Sequence, residues 1–453
     1  MDKRFCRELS YMERSCLEDR NTVCTIAELE GHEFDCTLLK KALDRTVDLQ
    51  PNLRIGPYLN EDPPMFKEVK NPYIDIIYKE TDNIDDWKSY ASIIINDRLP
   101  VEPEKTLFRF TIFKILNNPD KKFYFFLEMN HANSDGTSGM ILLHNILSYY
   151  SNYLGGEECN FKQLEPLPSS DRFCFPNGLT TTDKSIIDEI QNKRKLDKSE
   201  KVTLLNPCEI RNQENLHYCI LEDGNKENFL KIKNFCKENN ITVGNMIFAA
   251  YYFATAKFGY EKLKQIDSNN FEVTVDVDVN LRDRTDIKLG YNHIALFISI
   301  NEIKVKFTKQ TKFLELCKIV KEKMAEFFKN KSFIYENKSN PGLKNKNLDC
   351  VINQQFIPGD LNISNIGAYP FNNVYKLSDG TIKLNGLKCI GSPWTPFFSN
   401  YVLLIHSVTF LNYSFVYSDE RNTEFVKDYL KSIIYLIENC YQFESLTFDE
   451  YLR

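Results

Sequence analysis

In the stretch FLEMNHANSDGTSGM, Phe126 to Met140, an imidazole, a carboxylate and a glycine fall at His131, Asp135 and Gly136. A neutral imidazole can take a proton from a hydroxyl or an amine near neutral pH, so a histidine held rigidly at the end of an apolar run is a candidate general base. A lone histidine is more often a satisfied structural group. Three local features favour chemistry here. His131 stands where an apolar segment ends, the run Asn133, Ser134, Asp135, Gly136 favours a tight turn that would hold the ring, and Gly136 permits a conformation or close approach that side chains resist.

The remaining polar candidates carry weaker signals. Asn292 and His293 stand at the start of the apolar run IALFISI, where a strand-end turn explains them equally well. Ser364 and Asn365, in LNISNIGAYP, are candidate donors to a developing oxyanion, a contribution of about 2.7–4 kcal/mol per donor where it operates. They also suit a simple turn before Gly367. His406 shares a strand face with Val402, Leu404 and Val408 and reads as buried, His144 sits in the helix after the motif and reads as structural, and His32 and His217 carry no signal.

These residues need elements to hold them. LFRFTIFKIL reads as a strand, NNPDKK as a hairpin turn, and FYFFLEMN as a strand buried on both faces that delivers His131. Ser138 to about Tyr153 has helical spacing, which leaves His131 to Thr137 as the loop between strand and helix. Upstream, FDCTLLKKALDRTVDLQPNLR predicts a helix capped by Asp35, with Leu38, Leu39, Ala42, Leu43 and Val47 as its apolar stripe and Pro51 as its stop. Gly155 to about Leu216 is charged and turn-rich and reads as a crossing between two parts of the chain. Beyond it come two helices, NKENFLKIKNFCKENN and TVGNMIFAAYYFATAKF, and then FEVTVDVDV, which alternates with a period of two and runs into NLRDR. Strands are expected at IALFISI, LDCVINQQF, GTIKLNGLKCI and YVLLIHSVTFLNYSFVYS, and an amphipathic helix at EFVKDYLKSIIYLIENC. The fold class is mixed α/β, with no internal repeat.

Composition narrows the function classes. The 453 residues suffice for two or three domains, and 42% hydrophobic with 26% charged residues is ordinary for a globular chain. A net charge of −6 argues against a nucleic-acid partner. The thirteen cysteines are odd in number and scattered, with no C-x-x-C and no Cys/His grouping suited to zinc, so reduced thiols and no metal are expected. No signal peptide or membrane span is legible, and a cytoplasmic monomer is the expectation.

HANSDG resembles the His-x-x-x-Asp-Gly signature of the chloramphenicol acetyltransferase-like superfamily, which includes alcohol O-acetyltransferases, plant BAHD acyltransferases and condensation domains of peptide synthetases. ELSYMERSCL with the Asp35 helix is similar to the family's opening, VDVDVNLRDR to its second-lobe strand and Asn-Leu-Arg segment, and LNISNIGAYP to its Ser-Asn-x-Gly turn. The resemblance implies two lobes, each a mixed sheet covered by helices, with a tunnel between them: residues 1–170 with the His131 motif, a crossing at 171–215, and a second lobe at 216–453. It also implies that His131 deprotonates an acceptor for direct attack on a thioester, that Asp135 turns away and pairs with Arg282, and that Asn292, Ser364 and Asn365 lie near substrate. Asn130 stands where condensation domains carry a first histidine, and the BAHD Asp-Phe-Gly-Trp-Gly motif is absent. The nearest branch is therefore the alcohol acetyltransferases, with acyl-CoA, acetyl-CoA first, as co-substrate, no tightly bound cofactor, and a small-molecule alcohol or amine as acceptor. The alternatives are a condensation-type enzyme fed by a carrier protein and a non-catalytic binding member of the fold.

Overall fold

Alternation builds the central layers. In Asn270–Asn280 the side chains of Phe271, Val273, Val275, Val277 and Val279 are buried in one face, and the polar residues between them take the other. The computed structural model describes residues 5–157, 162–197, 204–205, 216–285, 288–331, 333–335, 361–378, 380–392, 401–418 and 422–453. Among the described residues, fifteen strands, numbered in chain order, form three sheets. In spatial order the first holds β12 (Val374–Lys376), β13 (Thr381–Gly391), β2 (Thr22–Glu30), β7 (Phe123–Asn130), β6 (Phe108–Ile115) and β5 (Asp75–Thr81). The second holds β10 (Ile298–Thr308), β9 (Asn270–Asn280), β11 (Asn362–Ala368), β14 (Tyr401–Ser407), β15 (Leu411–Tyr417) and β8 (Tyr218–Asp223). A small third sheet joins β1 (Cys6–Glu8), β4 (Met65–Glu68) and β3 (Ile55–Tyr58).

Helices cover the two large sheets, giving the two-lobed mixed α/β architecture. Helix α1 (Tyr11–Glu18) opens with a capping box between Ser10 and Glu13. Asp35 caps α2 (Cys36–Leu49) through the amides of Thr37 and Leu38, and α3 (Asp86–Ile94) stacks Trp87 on Tyr124 of β7. The long α4 (Gly136–Leu154) packs on α2 and on β2. The short α5 (Ser170–Cys174) and then α6 (Thr181–Asp197) follow in the crossing segment, where the charged run is helical. The second sheet buries its Val275 face under α7 (Lys226–Glu238), α8 (Val243–Phe258), α9 (Tyr260–Ile266), α10 (Phe313–Lys329), α11 (Thr423–Glu438) and α12 (Phe448–Leu452). Its opposite face meets the first lobe, where Leu221, Leu404 and Val416 join the core of the first sheet.

Several elements depart from the sequence reading. The helix after the motif starts at Gly136, two residues early, because the Asp135 carboxylate caps it by accepting from the Ser138 amide at 2.8 Å. IALFISI is strand only from Ile298; before that, the Ile294 and Phe297 amides bond to the Gln50 and Asp135 side chains rather than to a ladder. The run YVLLIHSVTFLNYSFVYS is a hairpin, β14 and β15, turning at residues 408–410. LDCVINQQF lies outside the described residues. GTIKLNGLKCI crosses into the first sheet, where β13 pairs antiparallel with β2, so sheet membership departs from chain order at this strand. The strand β2 and the helices α3 and α10 had no counterpart in the sequence reading.

Candidate functional site

Every residue of β7 is buried, and the strand ends in a loop whose polar groups bind one another. The Asn130 carboxamide oxygen accepts from the Ala132 amide at 2.9 Å, and the Ser134 hydroxyl donates back to the Asn130 carbonyl at 3.0 Å. Asn133 donates to the Asn52 carbonyl, and the His131 amide to the Asn21 carbonyl at 2.7 Å. The His131 ring is half-buried, with Nδ1 2.8 Å from the Ser134 carbonyl oxygen. A carbonyl only accepts, so Nδ1 carries the proton and Nε2 presents a lone pair.

Four residues on, the Asp135 carboxylate points elsewhere. One oxygen takes the Ser138 amide at 2.8 Å and the Ser138 hydroxyl at 2.9 Å; the other takes Arg282 Nη1 at 2.6 Å and the Phe297 amide at 3.0 Å. Arg282 spends its second nitrogen on the Ala295 carbonyl at 3.1 Å and on the Ser138 hydroxyl. The pair is sealed from solvent, with side chains 1% and 2% exposed. Burial alone would raise the Asp135 carboxyl, but the Arg282 charge and the hydrogen bonds outweigh it and hold it below the usual carboxylate range. Gly136 follows because the second lobe comes close: a Cβ there would lie 2.7 Å from Ile366 Cδ1.

Between the lobes is a cavity that His131 shares with Asp278, Ile298, Ser364, Cys389 and Leu404. Its floor is the inner face of the second sheet and part of its roof comes from β13. Ser364 lines it, and Asn365 does not. Neighbouring residues of a strand face opposite ways, and the Asn365 amide instead lies 3.1 Å from where a Cβ on Gly244 of α8 would stand. Asn292 is exposed and meets the first lobe through its backbone, its carbonyl accepting from Gln50 Nε2 at 2.8 Å. His293 offers its carbonyl to Arg282 at 3.4 Å. His406 is buried on the inner face beyond Leu404, where burial pushes it down to about 3.

Asp278 and Asn362 are among the cavity residues that the sequence reading does not single out. Asp278 Oδ1 accepts from Asn362 Nδ2 at 2.9 Å. Burial pushes the Asp278 carboxyl up, against the hydrogen bonds from Asn362 and Ser364. The alternation of β9 had already set Asp278 on the polar face. That face reads as solvated until the partner lobe is in place. Burial also drives the Cys389 thiol up to about 12, leaving it protonated at neutral pH.

Residues 59–380 match the family described as alcohol acetyltransferase. No curated protein sequence matches the chain significantly. Among solved structures, the first condensation domain of the calcium-dependent antibiotic synthetase is similar over 98% of both chains, with a TM-score of 0.73 at 12% identity. The TRI3 trichothecene 15-O-acetyltransferase from Fusarium sporotrichioides is similar over 96% of this chain and 95% of its own, with a TM-score of 0.72 at 12% identity. Polyketide synthase associated protein 5 from Mycobacterium tuberculosis reaches 0.66 at 12% identity over 96% and 98%. At these identities the likeness is one of fold.

Proposed function

Because the chain belongs to the alcohol acetyltransferase family, and so among acyltransferases, we propose that it moves an acyl group, acetyl first, from a coenzyme A thioester to a hydroxyl or amine of a small molecule, with His131 as general base. The observation that carries this reading is the tautomer that the loop selects at His131: Nδ1–H is committed to the Ser134 carbonyl, which leaves Nε2 as the acceptor of a ring that lines the inter-lobe cavity. In the proposed step the acceptor oxygen or nitrogen attacks the thioester carbonyl carbon while Nε2 removes its proton. The tetrahedral intermediate then collapses, the C–S bond breaks, and the departing thiolate takes the proton back from His131. Ser364 lines the cavity, where its hydroxyl hydrogen bonds to Asp278. Asp135 and Arg282 hold the loop and join the lobes rather than touch substrate. The cavity thiol of Cys389 is protonated and a poor nucleophile, which favours direct transfer over an acyl-enzyme.

The test is a mass-spectrometric screen with acetyl-CoA and pooled alcohols and amines, beside a parallel arm with an acylated carrier protein. Acyl products in the first arm that vanish with His131→Ala support the reading. Products only in the carrier-protein arm reassign the donor, and acyl transfer that survives His131→Ala removes the histidine from the mechanism.

A further inference from the structure

A base that takes a proton becomes a cation, and the loop that carries His131 offers that cation no carboxylate. Nδ1–H rests on a neutral carbonyl, that of Ser134. Both oxygens of Asp135 are occupied by Ser138, Phe297 and Arg282, and its charge is matched by a guanidinium at 2.6 Å. The motif's own carboxylate is therefore spent before catalysis begins.

A second carboxylate lines the same cavity from the other lobe. Asp278 sits on the inner face of β9, and its hydrogen-bond donors are the neutral amide of Asn362, at 2.9 Å, and the hydroxyl of Ser364. Among the residues that line this cavity, the imidazole able to become a cation is that of His131. A carboxylate enclosed by protein without a cation is costly, and the cost falls when a positive charge forms beside it. That charge forms once per turnover, on His131. The donors fix where the carboxylate points, since Asn362 and Ser364 stand on the neighbouring strand β11 and brace it across the ladder.

Resting on the reading of His131 as the base, we propose that Asp278 is a positioning residue that stabilises the protonated His131 ring across the cavity, so that the carboxylate serving the base comes from the second lobe rather than from the histidine's own motif. The other ionisable groups around the cavity do not compete for this role. Asp135 is matched by Arg282, Cys16 on α1 and Cys389 on β13 are thiols, and burial drives the Cys389 thiol up to about 12. Catalytic competence then requires closed lobes, because base and counter-charge reside on different sheets.

The experiment is a pH titration of the substrate-free enzyme by NMR, with labelled histidine and with the His131 signal identified by its loss in His131→Gln. Asp278→Asn should move the His131 midpoint to lower pH by about one unit, a tenfold loss of imidazolium stability, and Asp278→Glu, which keeps the charge, should return it towards the wild-type value. With acetyl-CoA and an acceptor from the screen, kcat of Asp278→Asn should fall about tenfold and the acid limb of its pH profile should move the same way, while KM for acetyl-CoA changes little. Asp278→Ser replaces the Asn variant if that one does not fold. A His131 midpoint that stays in place in the neutral variants, or one that moves equally in the Asn and Glu variants, overturns the proposal. Because the titration uses no substrate, it decides the coupling even if no acceptor is turned over, and so separates failure of this inference from failure of the acyltransferase reading.

Discussion

In the proposed reaction, His131 acts through the hydrogen bond that its ring does not make. Nδ1 is satisfied by Ser134, so losing the side chain removes a proton acceptor without unpairing a charge. His131→Ala should therefore lower turnover by roughly 10²–10⁴ with an almost unchanged melting temperature, checked by steady-state kinetics beside calorimetry. Cys389 gives the complementary expectation. Its thiol is protonated, so incubation with acyl-CoA alone should leave the protein mass unchanged, and Cys389→Ala should keep turnover within a few-fold. Stable acylation of one cysteine that then passes to the acceptor would point to a covalent intermediate instead. The spacing of His131, Asp135 and Gly136 was legible in the sequence because all three belong to one short loop. Asp278 was equally visible as a polar residue on β9, but its meaning depends on the opposing lobe, and local spacing carries no information about that.

At the scale of elements, period and caps were readable and partners were not. The alternation of β9, the stop of α2 at Pro51 and the hairpin of β6 and β7 follow from local rules. The crossing of β13 into the first sheet joins Lys383–Gly391 to Val23–Glu30, a pairing of more than 350 residues' separation that no window of sequence reveals. Asn365 illustrates the cost of reading a strand as a turn: in a turn both Ser364 and Asn365 could face substrate, whereas in β11 only one of them can. The position of the His131 loop also depends on how closely α4 lies on β2. A Cβ added at Gly139 would fall 1.8 Å from Thr25 Oγ1 and 2.6 Å from Thr25 Cβ, so the helix backbone rests directly on the strand. Gly139→Ala should force the first turn of α4 outward, at a cost of about 1–3 kcal/mol, and should lower turnover through the shifted loop. A melting temperature and kcat both unchanged in this variant would show that the interface yields without disturbing the loop.

For the whole molecule the question is what keeps two lobes in a fixed relation around the cavity between them. Two polar clamps do so on the same segment of the second lobe. Gln50, at the end of α2, donates to the Asn292 carbonyl and accepts from the Ile294 amide, and three residues further on Asp135 accepts from the Phe297 amide while holding Arg282. The first clamp is neutral and the second carries buried charge, so they should respond differently to pH. Asp135 is held below the ordinary carboxylate range, which means that it stabilises the folded state above its unfolded value of about 3.9 and loses that contribution as pH falls through the folded value. Wild-type stability should therefore drop on acidification below about pH 4 more steeply than that of Asp135→Asn. At neutral pH, removing one member of the pair strands the other charge in a sealed site. Asp135→Ala and Arg282→Ala should each cost about 3–5 kcal/mol, and the double variant should be little worse than either single one. Activity should fall with stability in all three, unlike His131→Ala, since the pair sets the geometry in which β7 and β9 face each other. Denaturant titrations of the four proteins decide the matter, and strictly additive losses would show that Asp135 and Arg282 stabilise the lobes independently.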